Sequence, residues 1–241
     1  MSRIPTCDRF VKKIMPIIFV VGTPGNMVGN SISCVNEQLG LTVNAIKTLT
    51  RRSVDFDIQI GILRFSTDSE WRTIDEAGEP ALLRVDATTW KDFDCGGLND
   101  VGLAIAELDK AMTLEALFCE QVGYVSPLVI FVDTGSPSDN WEPALDDALK
   151  NQWFRYSYRL CFYVDKDTDL NVLAHIGSHY SGKPDYGVVF PVEDMRIVVE
   201  KLLSWRSWAH SEHNNDAYLR WQDSIGKLMV GPFNTYYDKQ T

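Results

Sequence analysis

The segment Pro127-Leu-Val-Ile-Phe-Val132 is apolar at every position and runs directly into Asp133-Thr-Gly-Ser-Pro-Ser-Asp139, a cluster of turn formers. A strand-length apolar run bounded by turn signals is the pattern of a strand buried on both faces, and such a strand needs a layer of helices on either side of its sheet. A second run, Met15-Pro-Ile-Ile-Phe-Val-Val21, has the same character. It breaks at Gly22-Thr-Pro-Gly-Asn-Met27 into a tight turn before a helix. Turns at the carboxyl ends of central strands are where doubly wound α/β sheets keep their ligands.

The rest of the chain alternates between the two periods. Ile32, Val35, Leu39, Val43, Ile46 and Leu49 step by three or four and predict an amphipathic helix after Gly29. Residues 56–65 alternate as a strand does, and short β-leaning pieces at 71–74 and 81–85 around Gly78-Glu-Pro80 predict a hairpin with an antiparallel edge strand. Gly96-Gly97 precedes a helical pattern through Val101, Ile105, Leu108, Met112 and Leu117. A helix over 141–153, a strand over 156–164, a helix over 170–179, a strand over 187–192 and a helix over 193–205 follow. Strands alternating with helices argue for βαβ crossovers and a mainly parallel sheet. The expected fold is α/β, a Rossmann-like three-layer sandwich with a mainly parallel sheet of about six strands and one antiparallel edge strand. The expected organisation is an N-terminal extension over 1–13, one domain over 14–208 and an aromatic tail over 209–241.

A formal charge of −10 on 241 residues, with the acidic groups spread along the chain, repels phosphate backbones and anionic lipid. Neither nucleic acid nor membrane is therefore an expected partner. No apolar run approaches the roughly 18 to 20 residues that span a bilayer. Five cysteines without a CxxC pair suit free thiols in a reducing compartment, so the expected location is the cytoplasm.

Four separated segments resemble the von Willebrand factor A (VWA) domain, in particular the small bacterial single-domain type associated with tellurite-resistance gene clusters. The first strand, ending Val-Val-Gly-Thr-Pro-Gly-Asn26, is similar to an apolar strand followed by Asp-x-Ser-x-Ser. Ile60-Gly-Ile-Leu-Arg-Phe-Ser66 with Trp71, Cys95-Gly-Gly-Leu-Asn-Asp-Val-Gly-Leu-Ala104 and Pro127–Asp139 with Trp141 match three further stretches in order. In that family the acidic and hydroxyl groups of the loops hold a divalent ion. Here Gly22 falls at the aspartate, Pro24 and Asn26 at the two serines, Asn99 at a threonine and Thr134 at the last aspartate. The resemblance therefore implies a degenerate metal site and no cofactor. Because successive strand residues face opposite ways, Asp133 is expected to aim away from the emptied position. A rebuilt ion site would have to draw on Asn26, Asn99, Asp133 and Thr134.

Other constellations lack parts. His175 and His179 have helical metal-pair spacing but no third ligand, and His210 and His213 lie in a linker-like stretch. Gly22-Thr-Pro-Gly-Asn lacks the lysine of a phosphate loop, and Asp133-Thr-Gly lacks the second copy that aspartic-protease chemistry needs. The expected function is thus non-enzymatic: an interaction or scaffold module that recognises a protein with the rim of the emptied site. Met27, Val28, Asn99 and Trp141 are its candidate contacts, since Met and Trp suit desolvated interface centres. Trp141 and Trp71 suit packing between loops and helices equally well. The resemblance implies a partner encoded nearby, in a stress-response or phospho-signalling system. A metal-binding domain and a structural homo-oligomer subunit are the alternatives, and the oligomeric state stays open. The tail carries Tyr218, Leu219, Trp221, Ile225, Leu228 and Met229 at helical spacing, enough apolar surface to require a place to pack.

Overall fold

The computed structural model describes residues 12–52, 56–119, 123–165, 168–177 and 189–211. His179, His213, the tail beyond Ser211 and nearly all of the N-terminal extension lie outside them, whereas His210, expected in a linker-like stretch, falls within the last described helix, Met195–Ser211. Strand β1 (Lys13–Gly22) pairs in parallel with β2 (Phe56–Phe65) along its whole length, from Lys13 opposite Phe56 to Gly22 opposite Phe65. On its other side it pairs in parallel with β5 (Leu128–Asp133), and β6 (Tyr158–Tyr163) and β7 (Val189–Pro191) extend the sheet in the same sense. The order is β3-β2-β1-β5-β6-β7, with β4 also paired to β2.

The described sheet has seven strands because the expected edge strand is two short pieces. Strand β3 (Ser69–Trp71) runs antiparallel to Leu63–Phe65, and β4 (Leu83–Arg84) runs antiparallel to Gln59 and Ile60. They lie end to end on the outer edge of β2. Between them the chain turns at Gly78, whose φ of 86° is a left-handed conformation that other residues adopt at a cost.

Side-chain alternation along the strands sorts the core into two layers. Met15, Ile17, Phe19 and Val21 of β1 join Leu128, Ile130 and Val132 of β5 against α1 (Asn30–Arg52) and α6 (Met195–Ser211). Val35, Leu39, Val43 and Ile46, the stripe read from the sequence, are the residues with which α1 meets the sheet. Ile18, Val20, Val129 and Phe131 face the other way. They pack under α2 (Val101–Ala111), α3 (Glu142–Ala148), α4 (Gln152–Arg155) and α5 (Leu170–Ile176). Each fully buried Val, Ile or Phe contributes about 1.5 to 3 kcal/mol relative to exposure, so both layers hold the sheet. Carried to the strand ends, the same alternation puts residues 22 and 133 side by side on the α2 face.

The helix expected over 141–153 is broken into α3 and α4. Asn151 causes the break: it is extended, and its side-chain oxygen accepts from the Trp153 N–H at 2.9 Å, capping α4. Its amide donates to the Asp109 carboxylate at 2.8 Å and to the Met112 carbonyl at 3.1 Å, pinning the new helix start to the end of α2.

Candidate functional site

The loops following β1, β2 and β5 and the loop entering α2 converge over the carboxyl end of the sheet. Backbone hydrogen bonds stitch them together: Gly25 N–H to the Gly97 carbonyl, Gly96 N–H to the Thr23 carbonyl and Asp100 N–H to the Ser66 carbonyl. Asn99 and Ser138 bond reciprocally, the Asn99 N–H donating to Ser138 Oγ at 3.0 Å and the Ser138 N–H to the Asn99 carbonyl at 2.8 Å. Gly97 has a φ of 79°, and a Cβ there would lie 2.5 Å from Thr67 Oγ1, so the close approach of these loops requires glycine. Gly102 meets the same limit at the start of α2, where a Cβ would lie 2.9 Å from the Cα of Trp141.

At the centre is Asp133, only 1% exposed. Its Oδ2 accepts from the Gly135 N–H at 2.9 Å and from Asn99 Nδ2 at 3.2 Å. Asn99, itself 3% exposed, also donates to the Ser136 carbonyl and reaches Thr134 Oγ1 at 3.3 Å. Asp133 Oδ1 lies 2.5 Å from where a Cβ on Gly22 would be. The expectation that Asp133 aims away is therefore corrected. It rested on counting Thr134 as part of the strand, whereas the ladder ends at Asp133, paired with Tyr163, and Thr134 already belongs to the turn. Residue 133 keeps step with 129 and 131 and points into the space that a side chain at 22 would fill.

Burial raises the Asp133 carboxyl to about pH 6, against the pull of the hydrogen bonds from Gly135, Asn99 and Thr134, and nearby Asp139 adds to the rise. Among the described residues, Asp133 Oδ1, Asn99 Oδ1 and Asp139 Oδ1 are buried acceptors without a hydrogen-bond partner. Buried polar atoms are nearly always paired, so three such oxygens in one cluster of loops set this region apart from the rest of the molecule. Asp139 is held by its other oxygen, which accepts from the Leu103 N–H at the start of α2.

The remaining sequence candidates divide. Asn99, Asp133 and Thr134 come together, whereas Asn26 is exposed. Met27, expected on the rim, is instead fully buried, because the single turn Gly25–Met27 carries it inward. Val28, the next residue, is 73% exposed. Trp141 is half-buried, packs on the α2-side core and meets the His175 ring edge-on at 5.9 Å. The His175 ring nitrogen Nδ1 lies 2.7 Å from the Asn171 carbonyl. Trp71 packs on the same core with its indole N–H buried and without a partner among the described residues. One residue escaped the sequence reading: Leu98 is 57% exposed on the loop beside Val28. A large aliphatic side chain between Gly96-Gly97 and Asn99 was the signal for it.

No family model matches the sequence, and no curated protein resembles it in sequence. Solved structures do resemble it in fold. The von Willebrand factor type A protein of Catenulispora acidiphila matches at 11% identity and a TM-score of 0.56, over 79% of this chain and 42% of that one. Proximal thread matrix protein 1 from the mussel byssus matches at 10% identity and 0.51, over 79% and 47%. The ArnB paralog VWA2 of Sulfolobus acidocaldarius matches at 12% and 0.50, over 78% and 44%. The chain spans less than half the length of each. Its fold is that of a VWA domain.

The VWA family, which the sequence resembles, holds a divalent ion at the carboxyl end of the sheet, and the matching positions here differ in chemistry. A hard dication needs several oxygen ligands in near-octahedral order. Gly22 and Pro24 have no side-chain oxygen, Asn26 is exposed, and the carboxylate of Asp133 fills the space beside Gly22.

Proposed function

We propose that this domain is a non-enzymatic protein-interaction module that engages its partner through the loops at the carboxyl end of the sheet, without a bridging metal ion. The observation that carries the reading is the Asp133 carboxylate occupying the space beside Gly22, where an ion-binding side chain would otherwise project. Val28 and Leu98, exposed on adjoining loops above it, provide apolar contacts of the kind that mark interfaces when clustered. No helix among the described residues is long and apolar enough to cross a membrane. The reading places the domain in the cytoplasm, a reducing compartment that suits the free thiols of Cys34, Cys95, Cys119 and Cys161. Its partner is a protein encoded nearby in a bacterial stress-response or phospho-signalling system, the setting implied by the tellurite-resistance-associated relatives it resembles.

Two measurements test this. A ligand that binds only the native state raises stability by RT ln(1 + [L]/Kd), so millimolar Mg²⁺ or Mn²⁺ is expected to leave the melting temperature unchanged. A rise reversed by chelator would overturn the metal-free reading. In a pull-down from the native host, Val28→Glu and Leu98→Glu are expected to lose a partner that the unaltered chain retains, because a charge buried without a counter-charge costs several kcal/mol. Equal recovery by all three would move the docking face elsewhere.

A further inference from the structure

The stretches of the carboxyl-end loops nearest Asp133 are acidic, with Lys91 standing earlier on the loop entering α2. Across 23–29, 66–68, 94–100 and 134–142 stand Asp68, Asp94, Asp100, Asp139 and Glu142, and these stretches contain no lysine or arginine. Two cations border them and both are engaged: Arg64 of β2 by Asp68 at 2.6 Å, and Arg72, which lies 5.5 Å over the Phe93 ring beside Asp94, by Glu70 at 3.2 Å. Acidic groups alone would be an ordinary solvated surface. What distinguishes this one is the layer beneath, where Asp133 and Asn99, 1% and 3% exposed, hold acceptor oxygens with no donor among the described residues. Unpaired buried acceptors beneath acidic loops add to the negative potential there. Beside them Val28 and Leu98 project on loops joined through the Gly25 to Gly97 hydrogen bond.

We propose that this face binds a basic segment of a protein partner, with lysine or arginine set among aliphatic residues that pack on Val28 and Leu98. The inference rests on the reading of these loops as the docking face and adds the chemistry of what docks. Nucleic acid and anionic lipid surfaces carry the same sign of charge as the loops and are repelled by them. A basic protein segment meets both features at once: its cations answer the acidic loops, and its aliphatic groups cover the two exposed side chains. Complementary charge of this kind chiefly speeds association and selects the partner, and it weakens with salt.

The probe is a labelled peptide of alternating lysine and leucine, compared with one of glutamate and leucine, titrated with the full chain and read by fluorescence anisotropy. One variant combines Asp94→Asn, Asp100→Asn and Glu142→Gln. A control combines Glu76→Gln, Glu79→Gln and Glu115→Gln, all exposed and outside the four loops, so both lose the same net charge. The lysine peptide is expected to bind the unaltered chain and the control alike. It should bind the loop variant about tenfold more weakly, and to lose a similar factor when salt is raised enough to shorten the Debye length severalfold. Leu98→Ser should weaken it about threefold, as the loss of a partly buried aliphatic contact does. No binding of the lysine peptide, equal binding of the glutamate peptide, or equal weakening in the control and the loop variant would overturn the proposal. If Val28→Glu and Leu98→Glu lose a host partner while the lysine peptide fails to bind, the docking face stands and its basic partner does not.

Discussion

Asp133 concentrates the chemistry of the carboxyl end of the sheet in one titratable group. Its folded-state value of about 6 lies above the ordinary 3.8, so the native state holds this proton more tightly than the unfolded chain does. The stability this contributes is complete below about pH 4 and is lost as pH rises through about 6, a loss of about 3 kcal/mol. Urea unfolding of the unaltered chain and of Asp133→Asn across this range is expected to give a difference that changes by that order and levels off above pH 7. A constant difference would mean that Asp133 is ionised throughout. The same carboxylate constrains residue 22. With a Cβ 2.5 Å from Asp133 Oδ1 and 3.0 Å from Phe65 Cζ, Gly22→Ala is expected to cost about 1 to 3 kcal/mol, as overpacking does. Combining it with Asp133→Ser should recover part of that, since residues in contact are coupled by more than about 0.5 kcal/mol. Strict additivity in a double-mutant cycle would place the two side chains apart.

At the scale of elements, what was legible followed from patterns that only one structure satisfies. The apolar runs of β1 and β5 and the stripe of α1 are satisfied only by a sheet covered on both faces, and they form as read. That Gly22 and Pro24 bring no side-chain oxygen to these loops was equally plain, because it holds whatever the fold does. The direction of Asp133 was not legible, since it depends on where the ladder with β6 stops, a matter of one residue. The burial of Met27 and exposure of Leu98 likewise depend on how two loops distant in sequence meet at Gly25 and Gly97. Asn151 is a further case: its neighbours read as one helix, and only its contacts with Asp109 and Met112 across a tertiary junction make a break the better outcome. Asn151→Ala is expected to destabilise the protein by about 2 to 3 kcal/mol, the sum of a lost cap and of bridging hydrogen bonds at a partly buried junction. Asn151→Asp keeps the capping oxygen but loses the donors and faces Asp109, so it should rescue little. Full recovery by Asp would assign the whole effect to the cap.

At the scale of the molecule, the described domain closes both faces of its sheet with its own helices, and the chain leaves α6 at Ser211. The residues beyond carry Tyr218, Leu219, Trp221, Ile225, Leu228, Met229, Phe233, Tyr236 and Tyr237, a density of large apolar groups that water does not tolerate as a free patch. Packing on the chain's own domain needs no second molecule and no loss of translational freedom, which weighs against association as the first use of this surface. Truncation after Ser211 is accordingly expected to lower the melting temperature by several degrees, as a loss of about 1 to 2 kcal/mol does in a domain of this size, without changing the mass in solution. An unchanged melting temperature together with a smaller assembly, or with loss of a host partner, would make the segment a binding arm. The basic peptide separates that outcome from the loop face: if its affinity survives truncation, the two surfaces act independently, because a ligand held by the carboxyl-end loops gains nothing from a tail that does not touch it.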